Sequence, residues 1–254
     1  AEAAAAYPNR NAFDVHMPFA LANAIDLVPN RYDAIVVDEG QDFREEYWMP
    51  LEMILRNPDQ DPLYIFYDQN QNIYNRASTF PIKDEPFVLT VNCRNTRVIH
   101  DAAYRYFKGE ATDPPETPGA PITTIDAASP SAQAERIHAL VTRLIAKEKL
   151  SPSDIAILVL DTRDKAERYG LLQARALPKP AVWRIETHGD HNGVLLETAS
   201  RFKGLEAAAV ILWGLDLVDA AQYRELLYVA TSRAKSLLYL CGTERACRQA
   251  AATP

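Results

Sequence analysis

Short, continuous apolar runs punctuate the chain at residues 34–37, 63–67, 87–91, 155–160, 209–213 and 237–240. Continuous rather than alternating hydrophobicity marks strands covered on both faces, as in a parallel sheet flanked by helices. Between these runs, apolar residues recur at helical spacing. Ile137, Leu140, Val141, Leu144 and Ile145 form one such face, and Ser129-Pro130 ahead of it supplies a cap and a first-turn proline. Ile99, Ala102, Ala103 and Tyr106 form a second face beginning after Asn95 or Thr96, and Tyr223, Leu226, Leu227 and Ala230 a third. Strands alternating with helices of this length predict an α/β fold. Pro50 predicts a broken or late-starting helix after residue 42. The proline-rich stretch 111–121 reads as an irregular surface linker, residues 188–193 as a turn cluster, and no internal repeat is present.

Composition narrows this picture only a little. The 254 residues suffice for two compact lobes or one large domain, and 48% hydrophobic with 24% charged residues is an ordinary globular balance. No apolar run reaches the roughly 18 residues of a spanning helix, and the start lacks a signal peptide's basic region, so a cytoplasmic location without membrane contact is expected. Cys93, Cys241 and Cys247 are odd in number and lack CxxC spacing, which argues against a disulfide framework or a zinc site. The net charge of -7 gives no support to a protein that coats nucleic acid, although a local basic track is compatible with it.

Chemistry is concentrated where apolar runs end. Residues 35–37 are followed by Asp38-Glu39-Gly40-Gln41-Asp42. Carboxylates just past a buried strand lie at the sheet's carboxyl edge, where α/β proteins bind ligands. Magnesium could partner one acid while the other positions a water, or the segment is a solvated strand-to-helix turn. His188, Asp190 and His191 lack a third ligand at matching spacing and read as a polar turn. Trp48, Trp183 and Trp213 read as core residues, and Arg94, Arg97 and Arg105 as either a nucleic-acid border or a solvated helix face.

Five segments together resemble superfamily 1 helicases of the UvrD/Rep type, in that family's order. Asp38-Glu39-Gly40-Gln41-Asp42 resembles motif II, with Gly40 where alanine is usual. The resemblance implies that Asp38 binds magnesium, that Glu39 is the general base for ATP hydrolysis, and that Gln41 and Asp42 couple the site to the motor. Residues 67–74 resemble motif III, which makes Gln71 the γ-phosphate sensor and places Tyr74 by the nucleic-acid track, where aromatic faces stack on bases. Asn92-Cys93-Arg94-Asn95-Thr96 resembles motif IV, with Cys93 replacing an aromatic residue and Arg94 directed at the γ-phosphate. Residues 198–206, containing Lys203-Gly204-Leu205-Glu206, resemble motif V. There Glu206 would meet the ribose, Lys203 and Gly204 would border the nucleotide, and Thr198 and Ser200 would face nucleic-acid phosphates, Ser200 standing where relatives often carry histidine. Residues 226–235 resemble motif VI, whose Arg233 would be the second arginine at the γ-phosphate.

This resemblance implies RecA-like (P-loop NTPase) parallel sheets with flanking helices. Residues 1–85 would be the remainder of a first lobe and 86–254 a second lobe, with ATP and Mg2+ between them and single-stranded DNA or RNA as the track. No Gly-x-x-x-x-Gly-Lys-Ser/Thr occurs, so the expected chain begins partway through the first lobe and depends on an upstream P-loop segment. The short spacings leave no room for the large helical insertions of UvrD and Rep. They resemble a compact bacterial branch of UvrD-like C-terminal domains, sometimes joined to a nuclease-related domain. The alternative expectation is a catalytically silent nucleic-acid-binding or regulatory module that keeps the fold.

Overall fold

In the computed structural model, the described residues are 5, 8–27, 29–71, 80–108, 112–185, 192–219 and 221–251. The chain divides into two compact units, Ala1–Phe87 and Val88–Pro254.

The first unit holds helix α1 (Met17–Ala24), strand β1 (Ile35–Val37), helix α2 (Glu45–Met53) and strand β2 (Leu63–Ile65). The two strands pair in parallel, with Val36 opposite Tyr64. Here the expectation of strands covered on both faces fails. Val37 is buried, but Val36, Tyr64 and Phe66 are more than half exposed. Among the described residues this sheet has two strands, and packing reaches one side of it. Pro50 does not break α2 either. It lies inside the helix with its ring buried, so its missing N–H costs one backbone bond while the ring adds apolar burial. Trp48 stacks on Phe43 and meets Phe80 edge to face.

The second unit is a mixed α/β body around a six-stranded parallel sheet flanked by helices. Its elements are α3 (Arg97–Tyr104), β3 (Thr123–Asp126), α4 (Pro130–Ala146), β4 (Ile155–Val159), α5 (Lys165–Gln173), β5 (Val182–Arg184), β6 (Gly193–Thr198), β7 (Ala207–Trp213), α6 (Arg224–Ser232), β8 (Ala234–Gly242) and α7 (Glu244–Ala251). The strand order is β3-β8-β7-β4-β6-β5. Alternate residues of β4 divide between two cores. Ile155, Ile157 and Val159 pack with Ile137, Val141, Leu144 and Trp213 on one face. Ala156 and Leu158 pack with Ile99, Leu226, Leu227 and Ala230 on the other. Continuous hydrophobicity in β4 and β7 thus reports burial on both faces.

Helix α4 starts where its cap predicts, with Ser129 Oγ accepting from the Ala132 amide. Linker residues 112–121 are largely exposed, and two of their carbonyls serve the next structural need. Thr117 and Pro118 accept from the Arg97 and Val98 amides, satisfying first-turn donors of α3.

The apolar run 87–91 is not a strand. Phe87, Val88, Leu89 and Val91 are at least 60% exposed, and the segment makes a single bridge, Val91 to Asp113. Strand propensity without a neighbouring strand leaves an extended segment. Strands β3, β5 and β6 were not among the expected runs. The first two are short edge strands, and β6 begins at the last residue of the turn cluster and carries the charged Glu197 just before its end.

Candidate active site

In the first unit the acidic segment leaves the carboxyl end of β1. Asp38 is exposed, and its Oδ1 accepts from the Glu39 amide at 2.9 Å. Glu39 has φ of 53°, a left-handed conformation unusual for a glutamate and a recurrent mark of functional turns. Gln41 is 1% exposed and connects two motifs. Its amide donates to Glu39 Oε2, and its Oε1 accepts from the Asp68 amide at 3.0 Å. Asp68 Oδ2 in turn accepts from Gln71 Nε2 at 2.9 Å. A continuous path, Glu39–Gln41–Asp68–Gln71, therefore joins the acids after β1 to the turn after β2. Tyr74 lies outside the described residues, as do His188, Asp190 and His191.

Gly40 has a steric reason. Its amide donates to the Phe66 carbonyl at 2.8 Å, and an added Cβ would meet Ile65 Cγ2 at 2.4 Å. Ile65 branches at Cβ and cannot swing aside without changing rotamer. Gly40→Ala, which restores the residue usual in motif II, is expected to destabilise the protein by about 1–3 kcal/mol through overpacking. Thermal melts check this: an unchanged Tm would mean that Ile65 yields freely.

Oxygen donors alone suit magnesium, which takes one or two carboxylates and keeps waters and phosphate oxygens as its other ligands. Asp38 and Glu39 match that donor set. Among the described residues no group of three or more His, Cys, Asp or Glu could form an all-protein cage.

In the second unit, three segments distant in sequence converge. Arg94 is exposed on the turn before α3, and its Nε donates to Glu206 Oε2 at 3.0 Å. Lys235 Nζ donates to Glu206 Oε1, also at 3.0 Å. The Lys235 ammonium, with Arg94 as a further cation, holds the Glu206 carboxyl below the usual glutamate range. A lowered carboxyl pKa stabilises the fold above the unfolded value, and that contribution fades as pH falls through the depressed one. Glu206→Gln should therefore lower Tm slightly at neutral pH, and the difference from the parent should shrink on acidification below the usual glutamate range. A difference that widened on acidification would contradict this sign. Glu206 is well exposed, so the effect is small.

Arg233 is placed differently from Arg94. It follows α6 and is 1% exposed. Its Nε donates to the Val229 carbonyl at 3.1 Å, Nη1 to the Leu205 carbonyl at 3.4 Å and Nη2 to Ser232 Oγ at 3.1 Å. A cation at a helix C-terminus is favoured by the helix dipole.

Between these lies the turn after β6. Thr198 is 1% exposed and its carbonyl accepts from the Arg201 and Phe202 amides, closing the turn. Phe202 anchors the turn in the core, while Ser200 and Lys203 are half-buried and Leu205 and Glu206 emerge to solvent. Gly204 has φ of 80°, with open space around a Cβ, so its backbone conformation and not crowding requires glycine. Two features escaped the sequence reading. Glu197 is 2% exposed, visible only as one charge ending an apolar run. Asn92 and Asn95 form a hydrogen-bonded pair whose only sequence sign is their three-residue spacing around Arg94.

Residues 193–241, from β6 into β8, match the family described as UvrD-like helicase C-terminal domain. No curated protein is significantly similar to the chain. A solved structure, described as the C-terminal domain of a possible DNA helicase from Lactobacillus plantarum WCFS1, is 20% identical to it. The similarity covers 59% of this chain and 86% of that one, with a TM-score of 0.45, too low to bear on fold or function.

Proposed function

Starting from a UvrD-like helicase C-terminal segment over residues 193–241, we propose that this chain is the C-terminal part of a superfamily 1 ATP-driven motor. In this reading it couples hydrolysis of Mg-ATP to movement along single-stranded DNA or RNA, in the cytoplasm. The observation that carries the reading is the convergence of Arg94, Glu206 and Lys235 from three distant segments, two of them inside the matched stretch.

Each residue has a task that its surroundings support. Glu39 accepts the proton of the attacking water, and its link through Gln41 and Asp68 to Gln71 ties that acid to the phosphate-sensing turn. Asp38, exposed and engaged only locally in the bond described, would hold magnesium. Bound magnesium supplies neutralisation of the phosphate oxygens. Arg94 offers a planar fork to a phosphate once it leaves Glu206, and Glu206 is then available to a ribose hydroxyl. Arg233 stabilises charge on the transferred phosphoryl group. Lys203 and Gly204 border the nucleotide. The buried Thr198 leaves backbone amides and Ser200 to meet nucleic-acid phosphates, with Tyr74 stacking on bases.

Nothing in the 254 residues supplies a P-loop, so gripping of the triphosphate is assigned to an upstream segment of the same protein, to which a nuclease-related domain could also be joined. Isolated, the chain is expected to turn over little or no ATP. The second reading, a catalytically silent nucleic-acid-binding or regulatory module, is favoured by the burial of Arg233 and the net charge of -7. ATP turnover of the full-length protein, with and without a single-stranded oligonucleotide, separates them: stimulated turnover would sink the silent-module reading. Upstream sequence lacking Gly-Lys-Ser/Thr would sink the motor reading.

A further inference from the structure

The turn carrying Arg94 and the junction carrying Arg233 are fastened by two side-chain amides. Asn95 is 7% exposed and lies outside the stretch that matches the helicase family. Its Nδ2 donates to the Ser232 carbonyl at 2.9 Å and to the Ala234 carbonyl at 2.6 Å. These are the carbonyls immediately before and after Arg233, so one amide spans the backbone of that arginine on both sides. Asn95 Oδ1 accepts from Asn92 Nδ2 at 2.9 Å. Asn92 Oδ1 accepts from the Arg94 amide at 2.9 Å and the Asn95 amide at 3.2 Å. The second Asn92 Nδ2 hydrogen is aimed at His100 Nδ1, 3.0 Å away on α3. Every polar atom of the two amides is thereby used. A fully satisfied buried network of this kind specifies one arrangement, because any rotation leaves a donor or carbonyl unpaired.

Hydrophobic packing would hold α3 near α6 without it, since Ile99, Leu226, Leu227 and Ala230 share one core. Packing of apolar surfaces has no such directional demand, and it does not need an asparagine in this turn. The chain continues the fastening with a backbone bond, the Thr96 amide to the Lys235 carbonyl at 3.2 Å. The clamp thus holds Arg94 at its own backbone amide, through Asn92, and brackets Arg233 at the carbonyls of its two neighbours, through Asn95.

We infer that Asn95 is a positioning residue that, with Asn92, sets the Arg94 and Arg233 guanidinium groups as one unit for a polyphosphate. The inference about geometry stands by itself, and its polyphosphate part rests on the motor reading proposed above. Asn95 contacts no phosphate and acts through the backbone on either side of Arg233.

The test uses the whole 254-residue chain labelled with 15N-arginine, with inorganic tripolyphosphate as the probe. Three variants are compared with the parent: Asn95→Ala; Asn92→Ala, which is half-buried and better tolerated; and Ile99→Ala, equally buried in α3 but outside the amide clamp. In the ligand-free protein, Asn95→Ala should speed exchange of the Arg233 Nε proton by about fivefold, the factor that loss of one net hydrogen bond corresponds to. Asn92→Ala should move the Arg94 signal most, and Ile99→Ala should leave both signals in place while lowering Tm. If Asn95→Ala does not fold, Asn92→Ala carries the same test. Unchanged Arg94 and Arg233 signals in the folded asparagine variants, or equal changes in Ile99→Ala, would overturn the positioning role. With tripolyphosphate, both parent signals should shift along one saturation curve, and the asparagine variants should weaken that binding about fivefold. A parent that fails to respond to tripolyphosphate removes the polyphosphate part alone, since the motor reading places the main grip on the triphosphate upstream, while the ligand-free exchange result still decides the positioning role.

Discussion

On the proposed reading, replacing Glu39 by glutamine in the full-length protein should abolish ATP turnover and leave ATP binding nearly intact. Loss of a positioned general base costs about 10²–10⁴-fold in rate. The substitution is close to isosteric. A glutamine at 39 still offers an oxygen to the Gln41 amide, so the path through Asp68 to Gln71 survives. The Asp38 carboxylate, to which the proposal assigns magnesium, is also untouched. Steady-state turnover and equilibrium binding of a nucleotide, measured on the same preparation, separate the two effects. Turnover within a few-fold of the parent would remove Glu39 from its role. Loss of binding together with turnover would instead mean that Glu39, and not Asp38, holds the metal.

The second large effect comes from the arginines, which should behave alike in catalysis and differently in stability. Arginines that stabilise a transferred phosphoryl group contribute about 10³–10⁵-fold in rate. Arg94→Ala and Arg233→Ala are both expected to lose turnover on that scale. Arg94 is exposed and its ion pair with Glu206 is a surface pair, so Arg94→Ala should change stability by about 0–1 kcal/mol. Arg233 is buried, and its removal leaves the Val229 and Leu205 carbonyls without that donor. The Val229 carbonyl keeps Ser232 Oγ as a donor, but removing so large a buried side chain also leaves a cavity, so Arg233→Ala should melt well below Arg94→Ala. Thermal melts beside turnover assays check the contrast. Equal Tm losses would contradict the burial of Arg233, and an active Arg94→Ala would remove that residue from the site.

Particular elements show what the sequence makes legible. Helix α4 is read correctly from its apolar spacing and Ser129-Pro130 start, because its burial and its cap are both local consequences of residue order. Strands β4 and β7 are legible because both faces are covered, which forces unbroken hydrophobicity. The run 87–91 is likewise apolar yet makes one isolated bridge and no strand, since pairing depends on where other strands lie. Edge strand β3 is mostly polar and exposed, so hydrophobicity alone does not mark it.

The site divides in the same way. Short strings such as Lys203-Gly204-Leu205-Glu206 name its members through resemblance. The ion pairs uniting Arg94, Glu206 and Lys235 join residues far apart in the chain and are invisible to spacing. Nothing in the sequence around Arg233 distinguishes a buried guanidinium from an exposed one. Its burial follows from β8 and α6 packing within the unit and from an asparagine on another segment.

We propose that these residues are the hydrolytic part of an ATP-driven motor stimulated by single-stranded nucleic acid. This claim is tested most directly by ATP turnover of the intact gene product, with its upstream region, titrated with a single-stranded oligonucleotide. The account predicts turnover that rises with the oligonucleotide and saturates, and that vanishes in the Glu39→Gln variant. Turnover that is absent with a P-loop present, or that ignores the oligonucleotide, would contradict it.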